Sequence, residues 1–278
     1  EREWSVFLWL NEIYREWNTV LAEYAGDRAL CAEAWVEPLS ALARYVRPDE
    51  MQQAFNFAYL TTPWDAAALR DVVTTSLDAY DEVGAPTAWV LSNHDVVRHA
   101  SRLAIPGGGR PNGIRAHEPQ PDAVLGLRRA RAATLQMLAL PGSAYLYQGE
   151  ELGLPEHTTL DDSLRQDPAW FRTGHTEAGR DGCRVPMPWE GDAPGLGFGP
   201  SASTWLPQPD SYRELAADRQ RGVAGSTYEL YRTALAERRR LGLGAGDLAW
   251  VDAYAHDPAV VAFRNGPRSA AFISCLLM

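Results

Sequence analysis

Two short stretches hold side chains whose types and spacing suit proton transfer and hydroxyl binding. The first is Ala32-Glu33-Ala34-Trp35, which ends the apolar run Ala29-Leu30-Cys31-Ala32. An ionised carboxylate is costly to bury. A Glu at the end of an apolar strand is therefore expected to lose water and to have its pKa raised, as a general acid requires. The alternative is a Glu that is simply ion-paired at a strand terminus.

The second stretch is Leu91-Ser92-Asn93-His94-Asp95, with Arg98 just beyond. Four consecutive polar residues at a strand end are hard to explain as packing. His94 and Asp95 could bind hydroxyls, hold a metal or act as acid and base. Adjacent strand residues face opposite sides, so a simple His-Asp relay is not implied. The competing reading is a capped turn with a satisfied histidine.

Other chemistries find less support. His94 and His99 are five apart, and no Cys/His cluster stands at a metal-ligand spacing. A Gly-x-Ser-x-Gly elbow is absent, which argues against a serine hydrolase. Gly107-Gly108-Gly109 lacks the Lys-Ser/Thr of a phosphate loop. Gly149-Glu150-Glu151-Leu152-Gly153 reads either as acidic residues at a helix start or as a site loop.

The elements that must position these residues alternate in type. Leu10, Ile13, Tyr14, Trp17, Leu21 and Tyr24 lie on one face of a helix expected from about Phe7 to Tyr24, with Gly26 as a stop. The run ending at Glu33 is then a first buried strand. Phe55 to Leu60 predicts a second strand. Thr62 is the expected cap, with Pro63 at the first helical position, of a helix through Leu69, Val73, Leu77 and Tyr80. Thr87 to Leu91 predicts a third strand. A Gly- and Pro-rich loop leads to a long helix through Leu127, Leu135 and Leu138, and Ala144 to Tyr147 predicts a fourth strand.

From Gly149 to about Gly225 the chain reads as one long irregular loop, of the kind that is functional or disordered. Ser226-Thr227-Tyr228-Glu229 is a capping box that opens a helix through Leu241. Strands of a β module follow Gly246. This alternation indicates an α/β fold with parallel strands. An open doubly wound sheet and part of a (β/α)8 barrel both fit it, although no glycine-rich phosphate turn follows the first strand.

Composition bounds the function classes. The 278 residues are enough for one large domain, or one with a small companion, and 46% hydrophobic and 22% charged residues are ordinary globular values. A formal net charge of −10 argues against nucleic acid as the main partner. Arg238-Arg239-Arg240 sits late in a predicted helix, where cations suit the helix dipole. The 10 Trp and 11 Tyr lean weakly towards sugar binding, since flat rings pack on the apolar faces of pyranoses. Three scattered Cys suggest reduced thiols and a cytoplasmic setting, and neither a membrane span nor a signal peptide is expected.

The segment Trp89-Val90-Leu91-Ser92-Asn93-His94-Asp95-Val96-Val97-Arg98-His99 resembles the seventh-strand motif of glycoside hydrolase family 13, the α-amylase family. Ala32-Glu33-Ala34-Trp35 is similar to the fifth-strand motif. Tyr147-Gln148-Gly149-Glu150-Glu151-Leu152-Gly153-Leu154 resembles the eighth-strand end of the α-glucosidase and oligo-1,6-glucosidase branch. Arg180-Asp181-Gly182-Cys183-Arg184-Val185-Pro186-Met187-Pro188-Trp189 is similar to that branch's loop after the eighth strand.

The resemblance implies strands five to eight of a (β/α)8 barrel over residues 1–245, with a long loop at about 149–225. Residues 246–278 would be the start of a C-terminal β domain. By residue, it implies Glu33 as the acid/base of a retaining α-glucosidase and Asp95 as the carboxylate that stabilises the transition state. His94 and Arg98 are implied as substrate-binding. The implied partner is a short α-glucoside, with no cofactor. Calcium often binds elsewhere in this family, but no acidic loop here demands it. A trehalose- or isomaltulose-forming enzyme, or a non-catalytic relative, would share the barrel. The family's nucleophile, in a Gly-Phe-Arg-x-Asp context, has no match before Glu33, and the text from Ser269 to Met278 departs from the family. The expectation is a C-terminal portion, inactive alone. Nothing in the sequence speaks to oligomeric state.

Overall fold

The computed structural model describes residues 2–109, 111–266 and 270–275. Helix α1 (Arg2–Ala22) precedes β1 (Cys31–Ala32), α2 (Leu39–Ala43) and β2 (Gln53–Ala54). Then come α3 (Phe57–Thr61), α4 (Ala66–Asp81), β3 (Ala88–Val90), α5 (His99–Arg102), α6 (Ala123–Ala139) and β4 (Ser143–Tyr145). Helices α7 (Pro168–Arg172), α8 (Ala217–Gln220) and α9 (Thr227–Leu241) follow, before strands β5 (Leu248–Trp250), β6 (Val260–Asn265) and β7 (Ala270–Cys275). No described helix is long and apolar enough to cross a membrane.

The chain divides into two compact units. One comprises residues 1–90, 140–145 and 243–278, and the other residues 91–139 and 146–242.

In the first unit β1 pairs with β2 and β3 with β4, both parallel, and a parallel bridge from Phe55 to Ala88 joins β2 to β3. Sequence order is thus spatial order, as in an arc of a β/α barrel. Trp89 fixes the middle of the arc: it is fully buried, its indole N–H donates to Pro141 O at 2.5 Å, and Tyr59 meets it edge-on. Helix α1 packs Leu10 and Tyr14 on a cluster that includes Ala32, Leu42, Tyr45 and Tyr80.

Two expectations for this stretch are overturned. Phe57 to Leu60 is helical, because the Asn56 side chain accepts from Tyr59 N at 3.0 Å and caps a turn where a strand was expected. The next helix is capped by Asp65, which accepts from Ala68 N at 2.8 Å, rather than by Thr62.

Strands β5–β7 form an antiparallel sheet. Arg70 on α4 holds it: the guanidinium donates to the carbonyls of Ala255, Tyr254 and Val260 at 2.6, 2.5 and 2.6 Å and lies over Trp250. Of the stretch from Ser269 onwards, where a departure is expected, Ser269 and residues 276–278 lie outside the described residues. Cys31 and Cys183 carry free thiols, and the Cys275 side chain lies outside the described ones.

In the second unit α5 and α6 approach closely at Gly126, where a Cβ would stand 2.1 Å from Ala100 O. Ser226 caps α9 by accepting from Glu229 N, while the Glu229 carboxylate accepts from Gly222 N at 2.7 Å. Arg238, Arg239 and Arg240 occupy the last turn of α9. The long loop is ordered, with its own core of Leu152, Leu154, Leu160, Val185, Met187, Leu196, Leu206, Tyr212 and Ala217. Its apolar residues are scattered without helix or strand period, so the sequence shows no element while the segment still buries a core.

Replacing Arg70 by Ala removes three charge-assisted hydrogen bonds to carbonyls. Urea denaturation is expected to show a loss of about 1–3 kcal/mol, with faster amide exchange in residues 248–265. Unchanged exchange there would assign the sheet's attachment to other contacts.

Candidate active site

Glu33 follows β1 in the first unit. Ala32 is anchored by its burial and by accepting Phe55 N at 3.0 Å, and exposed Trp35 stacks on Phe57 at 4.1 Å and 20°. The carboxylate between these two anchors is exposed. The burial expected of a Glu at this strand end is absent: β1 is only two residues long, and the chain is exposed at Glu33. On the same arc Gln53 donates to Ser143 Oγ at 2.6 Å and accepts from Tyr145 O–H, tying β2 to β4 past β3. Burial, countered in part by a hydrogen bond with Tyr145, pushes the Cys31 thiol up.

Asp95, His94 and Arg98 lie in the second unit. The turn expected at this strand end is present: Asn93 Oδ1 accepts Asp95 N at 2.9 Å. His94 is half exposed, with Nε2 3.6 Å from Asp95 Oδ1. Two guanidinium groups converge on that same oxygen, Arg180 Nη1 at 2.7 Å and Arg184 Nη2 at 3.0 Å. Arg184 Nε also donates to His94 O at 2.8 Å. Arg180 is held in turn by buried Asp167. Burial raises the Asp167 carboxyl, but Arg180 and the amides of Ala169 and Arg180 outweigh it and leave it below its ordinary value.

The arrangement fixes one carboxylate oxygen between two guanidinium groups and beside an imidazole at a partly open surface. Such a group can accept sugar hydroxyls or oppose a developing positive charge.

Arg98 faces backbone carbonyls. Its side chain is buried, with only 1% of the residue exposed. Nη1 donates to Gln148 O at 2.8 Å, Nη2 to Cys183 O at 2.9 Å, and the guanidinium lies 5.1 Å from the Tyr147 ring centroid. Its backbone N–H donates to Glu156 Oε2 at 3.0 Å. Arg98 therefore joins the segments at 148, 156 and 183, and the last of these carries Arg184. Gly149 makes room for it: a Cβ there would stand 2.9 Å from Arg98 Nη1 and 2.5 Å from Leu154, at a φ of +86°. The buried histidine is His99, not His94. Its Nδ1 lies 2.9 Å from Ser92 Oγ, and burial pushes its pKa down to about 3.

Sequence reasoning named Arg180 and Arg184 only as letters of a loop motif and did not connect them to Asp95. They lie 85 and 89 positions further along the chain, a separation no local pattern bridges. The available signal was the pair of Arg residues flanking Asp181-Gly182-Cys183. Glu150 was read only within the Gly149-to-Gly153 motif, as a helix-start or loop acid, and Glu156 was not singled out. Burial raises Glu150 to about 8 and Glu156 to about 7. Glu150 sits against Tyr147 N and the hydroxyl of Tyr231, which is shared with Thr134.

Parallel strands in consecutive order, with carboxylates just beyond two of them in the chain, define an α/β chain of the (β/α)8-barrel class. The family described as Alpha amylase, catalytic domain, matches residues 10–243. The chain belongs to the α-amylase family of glycoside hydrolases.

A probable α-glucosidase of Rhizobium meliloti is 33% identical over 210 residues, covering 73% of this chain and 34% of the relative. The salivary α-glucosidase of Anopheles gambiae is 28% identical over 250 residues, covering 85% and 38%. Among solved structures, an α-glucosyl transfer enzyme, XgtA, superposes with a TM-score of 0.74 at 30% identity, over 91% of this chain and 43% of that one. The trehalose-6-phosphate hydrolase of Bacillus licheniformis gives 0.67 at 22% identity, over 93% and 47%, and shares the fold. The chain spans about a third of the length of these curated relatives.

The buried carboxyls set a pH dependence. Glu150 rises from 4.5 to about 8 on folding, so between those values the folded chain holds a proton that the unfolded chain has lost. Its contribution to stability is full below the unfolded value and declines as pH rises to about 8. Urea denaturation from about pH 5 to 8 is expected to show a shallower loss of stability for Glu150→Gln than for the wild type. Equal slopes would count against a protonated Glu150.

Proposed function

We propose that this chain is the strand-five-to-eight portion of a retaining α-glucosidase barrel together with the start of its C-terminal β domain. Glu33 is the acid/base that protonates the glycosidic oxygen and then activates water. Asp95 holds sugar hydroxyls and stabilises the oxocarbenium-like transition state, and His94 binds hydroxyls beside it. Arg98 positions the site and does not touch substrate. A retaining mechanism requires a nucleophilic carboxylate about 5–5.5 Å from the acid. The reading assigns that group to polypeptide outside these residues, so the chain alone is inactive. The substrate is a short α-glucoside, and no nucleic acid or membrane partner is involved. A cytoplasmic setting belongs to the reading and rests on cysteine usage, with free thiols at Cys31 and Cys183.

The observation that carries this proposal is the Asp95 carboxylate, clamped by Arg180 and Arg184 next to His94. A charged group fixed this way at an accessible surface suits repeated contact with a polyhydroxylated substrate. A second reading, glucosyl transfer or isomerisation on the same barrel, is favoured by the 30% identity to an α-glucosyl transfer enzyme.

The test is an assay on maltose and sucrose with the purified chain, alone and co-expressed with a family-type N-terminal barrel half. Alone it should release no glucose. The complemented protein should release glucose, and Glu33→Gln should lower that rate about 100-fold or more. Hydrolysis by the chain alone that Glu33→Gln abolishes would overturn the missing nucleophile. Rearranged disaccharide in place of glucose would select the second reading.

A further inference from the structure

The ordered loop of the second unit carries a cleft of about 680 Å³ that takes no part in the carboxylate site. That volume lies within the range of about 300–1,000 Å³ found for ligand pockets. Leu164, Thr204, Trp205, Gln208, Asp192 and Arg213 line it. Pro194, Pro207 and Pro209 complete the wall, and three fixed φ angles stiffen it before any ligand arrives.

Trp205 is 56% exposed, although the chain has a core in which to bury it. Its indole N–H donates to Gln166 Oε1 at 2.7 Å, which sets the plane of the ring. An exposed aromatic ring held by its polar edge is a preformed platform. Thr204 and Gln208 are anchored to carbonyls, Thr204 to Leu206 O at 2.7 Å and Gln208 to Pro186 O at 3.1 Å. Asp192 meets Arg213 at 3.8 Å and pairs with Arg219.

Leu196 at the floor has a φ of +49° and a ψ of +37°, an uncommon conformation for a residue with a Cβ. Its carbonyl accepts both Trp189 N and Glu190 N, at 2.7 and 3.0 Å, which holds it there. A non-Gly residue kept in this region carries strain of about 1–3 kcal/mol, which surrounding structure must over-determine.

We propose that this cleft is a saccharide-binding site that grips a malto-oligosaccharide through Trp205. A pyranose has apolar C–H faces and a rim of hydroxyls. A fixed ring flanked by carboxylate, guanidinium, amide and hydroxyl groups matches both features. The lining carries Asp192 and Asp210 against Arg213, so an anionic ligand is disfavoured and a neutral sugar fits. The choice of α-glucan as the sugar rests on the α-glucosidase reading. The platform is also joined to the carboxylate site: Trp205 bonds Gln166, the next residue Asp167 holds Arg180, and Arg180 reaches Asp95.

Calorimetric titration of the full chain with maltoheptaose tests this, using wild type, Trp205→Ala, Arg213→Ala and Asp95→Asn. Trp205→Ala should weaken binding at least tenfold and Arg213→Ala several-fold, while Asp95→Asn should retain a Trp205-dependent site. On the unaltered chain, maltoheptaose should slow amide exchange across residues 192–213. Wild-type affinity in Trp205→Ala, or no protection of 192–213, overturns the site whatever the folding of the variants. Binding lost in Asp95→Asn alone places the sugar at the carboxylate and also overturns it. The site stands if this binding holds while the complemented barrel fails to release glucose. Glucose release without a Trp205 effect leaves the enzyme reading standing and the site refuted.

Discussion

The carboxylate site depends on one buried guanidinium. Arg98 takes a position where a charge is costly and donates to backbone carbonyls of two segments, at Gln148 and Cys183, the second of which also accepts the Tyr147 hydroxyl at 3.1 Å. A carbonyl buried without a donor is costly as well, so charge and acceptors stabilise one another here. Once Cys183 is fixed, Arg184 next to it reaches Asp95, and Arg180 sits one 3-10 turn earlier. Glu156, whose carboxyl receives the Arg98 amide, pins the same residue from the backbone side. The Tyr147 ring offers its face to the cation, which replaces part of the hydration lost on burial.

Glu33 and Asp95 are presented by different means. Glu33 stands between two anchors, Ala32 in the core and Trp35 on Phe57, with the carboxylate left in water. Asp95 is gripped directly by two cations and by the turn that Asn93 closes.

Much of the fold was legible because parallel strands and amphipathic helices leave a periodic trace. Ala88–Val90 and Ala123–Ala139 lie where Thr87–Leu91 and the leucines of 127–138 placed them. The error at Phe57–Leu60 arose because a short apolar run fits strand or helix equally, and the deciding feature was the Asn56 cap. The segment 149–225 looked irregular because its core has no period, yet Leu154, Val185, Leu206 and Tyr212 are almost completely buried. Residue type drew notice to Glu33, His94 and Asp95, since polar groups at strand ends stand out against apolar text, but left structural readings open beside the functional ones. The contacts of Arg98 with carbonyls were not legible, because type alone cannot separate an arginine that faces ligand from one that faces carbonyls. Gln53, Ser143 and Tyr145 went unnoticed because each is unremarkable until β2 and β4 bring them together.

The measurement that bears most directly on this account is amide exchange of the Arg98→Met chain, compared with wild type segment by segment. Methionine retains much of the buried volume and removes both donors. If Arg98 organises the site, exchange across residues 147–149 and 180–185 should accelerate at least tenfold, about 1.4 kcal/mol of local stability, while α6 keeps most of its protection. Unchanged protection at 180–185, or an equal loss throughout the unit, would contradict the claim that this guanidinium holds the clamp on Asp95.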